Sequence, residues 1–291
     1  MRVTMPLDHV LILHDDLGTA VTGLHRLGFR PTPPGYHGDA LGTENVTIML
    51  PDRETYFEIM VVRQPADANA DKRAFFAARG RHPFGAAFKG EAAAAHGRFA
   101  ELGIEQGDPV DFSRPVELPG GQREASFSIA PMRAGALPAL YTFVCEHHTP
   151  DVVWRPDYLK HSNGAGALTD LWGLAPDPMA LAGAWRALYA DSVTEDADRL
   201  SVATGTARIT MLSPARWAAM FPSVAADPAV PGFHAVGFRV AALDSLRTTL
   251  AAQNVAFVDG GDTLVVADEY GIGAAVVFDD GAGPRGAAGL G

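Results

Sequence analysis

The sequence predicts an α+β fold built from four βαβββ units in two tandem pairs, and three observations carry that reading. Two segments about 75 residues apart rhyme: Asp8-His9-Val10-Leu11-Ile12-Leu13 leads through a helical stretch to Leu27-Gly28-Phe29, and Pro83-Phe84-Gly85-Ala86-Ala87-Phe88 leads through another to Leu102-Gly103-Ile104. Both rhymes run on into short strand-like segments, and such an internal repeat sets the architecture before any single residue does. Looser copies of the pattern open near Leu168 and at Phe233. Between the pairs lies Thr149–His161, which contains Pro150 and Pro156. It divides the chain into a first domain, 1–155, and a more degenerate second domain, 156–291.

Taken in order, Leu7–Leu13 is the first strand and Asp15 or Asp16 suits the N-cap of the helix that follows. Leu17, Ala20, Val21, Leu24 and Leu27 recur at helical spacing, and Gly28 supplies the left-handed stop. A turn-rich passage, Gly35 to Gly42, precedes strands Thr43–Leu50 and Thr55–Val62, which flank the turn signal Pro51-Asp52. Asp71–Arg79 fits no part of the repeat and reads as a short helical insertion joining the first two units. The second unit has its helix at Glu91–Leu102 and its later strands at Ala125–Ala130 and Leu140–Cys145. In the third, Asp177-Pro178 is an N-cap and first-turn pair for a helix over Met179–Tyr189. The fourth places Leu243, Leu246 and Leu250 on one helical face, followed by strands Thr263–Ala267 and Ala274–Phe278.

Composition narrows the function classes. The 291 residues are 47% apolar and 20% charged, as in an ordinary soluble protein. Lys and Arg number 23 against 34 Asp and Glu, a net charge of −11 that argues against nucleic acid or an anionic membrane as partner. No apolar run approaches a membrane span, and Met1-Arg2-Val3-Thr4-Met5-Pro6 lacks the core of a signal peptide. Cys145 is the single cysteine, so no internal disulfide forms and a cytoplasmic setting is expected. The Gly- and Ala-rich tail after Asp280 reads as a frayed end. No nucleophile elbow or phosphate loop is present, and Cys145 lies in an apolar strand where a thiol is inert.

The repeated units, opening with Leu7-Asp8-His9-Val10 and carrying a Tyr56-Phe57-Glu58-Ile59 strand about fifty residues later, resemble the vicinal oxygen chelate superfamily. Three passages resemble its glyoxalase-like subgroup: Gly35-Tyr36-His37 through Gly42-Thr43-Glu44-Asn45; Asp111-Phe112-Ser113-Arg114-Pro115-Val116; and Cys145-Glu146-His147-His148-Thr149-Pro150 with Trp154 following. These motifs span about residues 5–165, and the second half matches by pattern alone. The resemblance implies two glyoxalase-like bowls, each a sheet curled from two units. It further implies a divalent metal held by the first and last strands of the units. Carried onto this chain, the first-strand ligand is His9 and the last-strand ligand is Glu58, donors that suit Zn, Mn, Fe or Ni.

The second unit departs from the family pattern, with Phe84 where a histidine is expected. His147 is the preferred third ligand, on the strand face of Phe143 and Cys145; Glu146 on the other face and His82 are the alternatives. His37, Thr43 and Asn45 are expected either to bind a polar substrate or to form a solvated hairpin loop. Trp154 is expected to pack between the halves rather than close the bowl. In the second half, Asp170 and Ala235 stand where His9 stands in the first unit, so one site per chain is expected, in the first bowl.

The function so implied is an enzyme of glyoxalase, lyase, isomerase or ring-opening kind acting on a small oxygenated metabolite. In it a Lewis-acid metal would assist, with Glu58 as ligand and proton carrier. Catechol ring cleavage fits less well, because Phe84 breaks the ligand set that relatives use. Two other readings stay open: a metal-free resistance or sequestration protein, and a purely structural role. The expected partner is a small-molecule substrate, with a homodimer left open.

Overall fold

The computed structural model describes residues 5–281 apart from Pro119. The first four residues, and the expected frayed tail from residue 282 on, lie outside the described residues. The first half runs β1 (Leu7–His14), α1 (Leu17–Arg26), β2 (Gly35–Tyr36), β3 (Thr43–Met49), β4 (Tyr56–Val62), α2 (Ala70–Arg79), β5 (His82–Lys89), α3 (Ala92–Leu102), β6 (Val110–Leu118), β7 (Gly121–Pro131) and β8 (Tyr141–His147). A connector with α4 (Pro150–Val153) leads on. The second half runs β9 (Ala165–Leu174), α5 (Ala182–Tyr189), β10 (Val193–Asp196), β11 (Arg199–Ala203), β12 (Arg208–Leu212), α6 (Pro214–Met220), β13 (Gly232–Val240), α7 (Leu243–Ala252), β14 (Val258–Asp259), β15 (Thr263–Val266) and β16 (Ala275–Asp279).

Local chemistry starts and stops these elements. The Asp16 carboxylate accepts from the amides of Gly18 and Thr19 at the start of α1. At its end Gly28 turns at φ 79°, where a side chain would strike Asn163 of the connector. Asn163 closes the same corner by donating from Nδ2 to the Leu27 carbonyl. Asp177 caps as expected, but its first turn is a 3₁₀ turn, Pro178–Leu181, before α5 begins. No helix among the described residues is long and apolar enough to cross a membrane.

The strands form two eight-stranded sheets of one design. The first has the order β2-β3-β4-β1-β5-β8-β7-β6, and the second, β10-β11-β12-β9-β13-β16-β15-β14, repeats it position for position. In each half the first and last long strands of a unit pair in parallel, and the two units meet along an antiparallel seam, β1 with β5 and β13 with β9. Parallel neighbours require a crossover, which the helix of each βαβββ unit supplies. These are the two predicted glyoxalase-like bowls, an α+β architecture.

Alternation along the strands then separates two environments. One face of each sheet, with Val10, Ile12 and Phe57 from the first half and Leu171, Phe238 and Phe278 from the second, enters a single continuous core shared by both halves. Phe29 and Phe57 lie 4.9 and 5.9 Å, centre to centre, from Phe238 across that junction. The other faces are the concave ones. Each carries its own apolar cluster, around Leu11, Tyr56, Phe84 and Phe143 in the first bowl and around Leu174, Leu212, Trp217 and Phe221 in the second.

Candidate functional site

Strand alternation places His9 and Leu11 of β1, Thr43, Asn45 and Thr47 of β3, and Tyr56, Glu58 and Met60 of β4 on the concave face of the first bowl, where they line one cavity. Its far wall is Phe112, Phe127, Tyr141, Phe143 and Cys145. The cavity measures about 130 Å³, near the ~150 Å³ void that admits a benzene molecule. Thr43, Asn45 and Glu58 are all buried, while Asp39 and Ala40 at the tip of the preceding loop are exposed. His37, bonded through Nδ1 to Thr43 Oγ1 at 2.8 Å, lines the cavity with them. Burial lowers its pKa, and the charges of Arg114 and Lys72 lower it further against the opposing pull of Glu58. At neutral pH His37 is therefore an uncharged hydrogen-bonding group.

Around His9 the geometry is specific. The seam with β5 has a register shift between Leu7 and His9, so Asp8 sits in a bulge and its carboxylate turns toward its neighbour's ring. Asp8 Oδ2 accepts from His9 Nδ1 at 2.8 Å and from His147 Nε2 at 3.0 Å. Full burial alone would raise the Asp8 carboxyl, but the charges and hydrogen bonds of His147 and His9 outweigh it and hold it well below the usual range. An ionised carboxylate only accepts, so His9 donates its Nδ1 proton to Asp8 and turns Nε2 to the cavity. There Nε2 stands 3.4 Å from Glu58 Oε2, while Glu58 Oε1 is fixed by the Asn45 amide at 2.9 Å. The His9 ring is clamped in this pose by Tyr56, stacked on it at 4.2 Å.

An imidazole nitrogen and a carboxylate oxygen facing one another at this distance share a cation, whether a proton or a metal. Their spacing suits two ligands of one metal ion. Two ligand atoms of a tetrahedral ion with bonds of about 2.0–2.1 Å stand roughly 3.3 Å apart. A carboxylate on the other imidazole nitrogen is the usual support of a metal-bound histidine. A second group could also hold a metal ion: ligand atoms of Asp8, Cys145 and His147 all lie within 4.8 Å of one another. Here Asp8 Oδ1 and His147 Nδ1 are buried without hydrogen-bond partners. Burial, with Asp8, Glu58 and Glu146 nearby, raises the Cys145 thiol well above its ordinary pKa, so it is a neutral thiol unless a cation displaces its proton.

The residues singled out in the sequence thus separate into groups. His9, Glu58, His37, Thr43 and Asn45 come together in the cavity wall. His147 reaches the Asp8 carboxylate, behind His9, rather than Glu58. Of the alternatives, Glu146 accepts from the Ala92 amide at the start of α3, and His82 lies at the junction of the halves, 4.7 Å ring to ring from His234. Phe84 fills the second-unit position and stacks on Tyr141 at 5.0 Å. Trp154, expected between the halves, instead packs under the first bowl, 4.9 Å from the His147 ring and 5.8 Å from Tyr56. The reason is α4, which tucks Val152 and Val153 into the concave cluster and carries Trp154 with them.

Three residues of the site were not anticipated: Asp8, Lys72 and Arg114. Asp8 is hidden by the bulge, since strict alternation would point it away from His9. Lys72 lies on α2 and Arg114 on β6, and both line the cavity. A signal for Lys72 does exist in the sequence: it is three and four residues before Phe75 and Phe76, on the apolar face of its helix.

A family model for a glyoxalase-like domain matches residues 7–189. No curated protein matches the chain. Among solved structures, a hypothetical protein from Staphylococcus aureus superposes with a TM-score of 0.65 at 11% identity, covering 94% of this chain and 99% of its own. A mutant 4-hydroxymandelate synthase from Streptomyces coelicolor gives a TM-score of 0.58 at 14% identity, over 98% and 95% of the two chains. A xylose isomerase-like TIM barrel/4-hydroxyphenylpyruvate dioxygenase fusion protein gives 0.61 at 13%, over 99% of this chain and 50% of the other. At these identities the likeness is one of fold.

Proposed function

The chain belongs to the glyoxalase-like domain family of the vicinal oxygen chelate superfamily, and from that premise we propose that it is a metal-assisted enzyme of the lyase or isomerase kind, acting on a small oxygenated metabolite. The observation that carries this is the facing pair of His9 Nε2 and Glu58 Oε2, 3.4 Å apart at the cavity wall, with His9 backed by Asp8. His9 and Glu58 would hold a divalent ion, which supplies Lewis-acid polarisation of a substrate oxygen when bound. Asp8 keeps the His9 tautomer that presents Nε2. Asn45 fixes Glu58 Oε1 and leaves Oε2, the oxygen that faces His9, as the one that would exchange a proton with the substrate. His37 and Thr43 orient the polar end of the substrate, and the aromatic wall excludes water from it.

Metal analysis of protein purified without chelators tests this reading. Bound metal that is lost in Glu58→Ala and kept in Cys145→Ala supports His9 and Glu58 as its holders. Loss in Cys145→Ala with retention in Glu58→Ala would move the metal to Asp8, Cys145 and His147. A proton shared by His9 and Glu58 satisfies the same pair, and this favours a second reading in which the bowl binds without metal. Ligand binding indifferent to chelator, with no turnover, selects it.

A further inference from the structure

The cavity holds two cations for which the fold provides too few acceptors. Lys72 is only 9% exposed. Its ammonium lies 4.5 Å over the Tyr141 ring and 5.7 Å over the Phe84 ring, and its ion pair is a loose one, 3.6 Å to the half-exposed carboxylate of Asp71. An ammonium carries three donors, and a buried one without close acceptors is costly. Arg114 is half-buried on β6, and its guanidinium makes no hydrogen bond or ion pair among the described residues. It crosses the rim where the edge strands β2 and β6 approach one another. Its Nη1 would lie only 2.7 Å from a Cβ placed on Gly35, so the missing side chain of Gly35 is what makes room for it. Both cations act on the His37 ring, which places them around one part of the wall. Glu58 is the single carboxylate lining the same cavity, and it is already committed to His9 and Asn45.

We infer that Lys72 and Arg114 form an anion subsite, and that the ligand of this cavity is a small aromatic or otherwise planar carboxylate. With Lys72 loosely paired to Asp71 and Glu58 turned to His9, Arg114 is the cation of this wall left without a carboxylate partner among the described residues, which matches a monoanion and not a phosphate dianion. A planar guanidinium fork meets a carboxylate edge-on, and the Lys72 ammonium completes the pair of acceptor oxygens. Phe112, Phe127 and Phe143 supply the faces for one ring, in a volume that takes about one ring. This assignment rests on the cavity being the substrate site, and it is independent of whether a metal is bound there.

The test is direct binding of benzoate to the full chain by calorimetry, with benzamide as a neutral probe of the same shape and phenyl phosphate as a dianion. All three are measured in chelator and again after metal loading. Benzoate should bind about tenfold or more tightly than benzamide, as one charge-assisted pair implies. Lys72→Met and Arg114→Met should each remove about that factor for benzoate and leave benzamide unchanged, while Arg114→Lys should restore part of it. Glu58→Gln should retain benzoate binding even where it abolishes metal binding, so the anion subsite and the metal reading succeed or fail separately. Equal affinity for benzoate and benzamide, tighter binding of phenyl phosphate, or benzoate binding that disappears in chelator and ignores both cation variants would each overturn the assignment.

Discussion

The two bowls have the same strand order, and each has a helix joining its two units, yet the concave face of one lines the cavity of His9 and Glu58 while that of the other carries an aromatic cluster. In the first, α2 lowers Lys72 over the concave face and the space beneath stays open. In the second, α6 occupies the same place in the chain order and lowers Trp217, which packs with Phe221 at 4.6 Å while Phe221 meets Trp172 at 5.6 Å. The strands diverge in step. The pairing of β1 with β4 sets His9 opposite Tyr56 and brings Glu58 to the next position on the concave face. The equivalent pairing of β9 with β12 sets Asp170 opposite Arg208 and brings Thr210 there. Asp170, pushed up to about 7 chiefly by burial, has no imidazole to face. A duplicated backbone therefore does not duplicate a site: the joining helix brings a lysine to one concave face and a tryptophan to the other.

The sharpest way to break this contrast is to unplug the second bowl. Trp217→Ala should cost about 3–5 kcal/mol in chemical denaturation, the range for deleting a buried indole. Added indole should recover part of the loss by occupying the space. No recovery would mean that the bowl collapses rather than opens.

A smaller effect tests the joint between the bowls. His82 and His234 are held at about 3 and about 4, chiefly by burial, with the charge of His234 and of Arg79 adding at His82 and that of Arg79 at His234. Unfolded, each titrates near 6.5. The unfolded chain therefore binds more protons between those values, so stability is complete above about pH 6.5 and falls as pH drops toward the folded values. A loss of roughly 2 kcal/mol by about pH 6, about 1 kcal/mol from each ring, is expected, read from denaturant midpoints across pH. His82→Asn combined with His234→Asn should flatten that slope.

The smallest effect sharpens the role of α2. Lys72→Met should raise stability by about 1 kcal/mol, since an incompletely paired buried charge gives way to an apolar side chain. A rise in melting temperature with a fall in benzoate affinity identifies a residue kept for binding; a fall in both would make Lys72 structural.

What could be read ahead of the structure follows from the range of the forces involved. The long strands at the centre of the first bowl and the helix ends at Gly28 and Gly103 were legible, because period and turn chemistry are local; β6 and β10 to β12 were not, and His9 with Glu58 came from the family resemblance. Asp8 was not, because a one-residue bulge reverses the alternation that any strand reading relies on. Lys72 was passed over because a helix outside the repeat has no assigned face until it docks. Trp154 lies elsewhere than its sequence context predicts for a related reason: the prolines of the connector suggest a spacer between halves, whereas its short helix buries two valines in the concave cluster of the first bowl.

The core shared by the two sheets has a consequence for how such a protein can change. Met5 accepts from Tyr189 and Thr55 receives the Leu168 amide, so backbone and side chains of the two halves are stitched together as well as packed. A chain divided at the connector would expose the backs of both sheets, with Phe57 and Phe238 among the residues newly wetted. The halves are thus not interchangeable parts that recombination could trade for others. The second bowl has become the foundation on which the first one stands. Sequence drift on the buried backs of the two sheets must be matched across the joint.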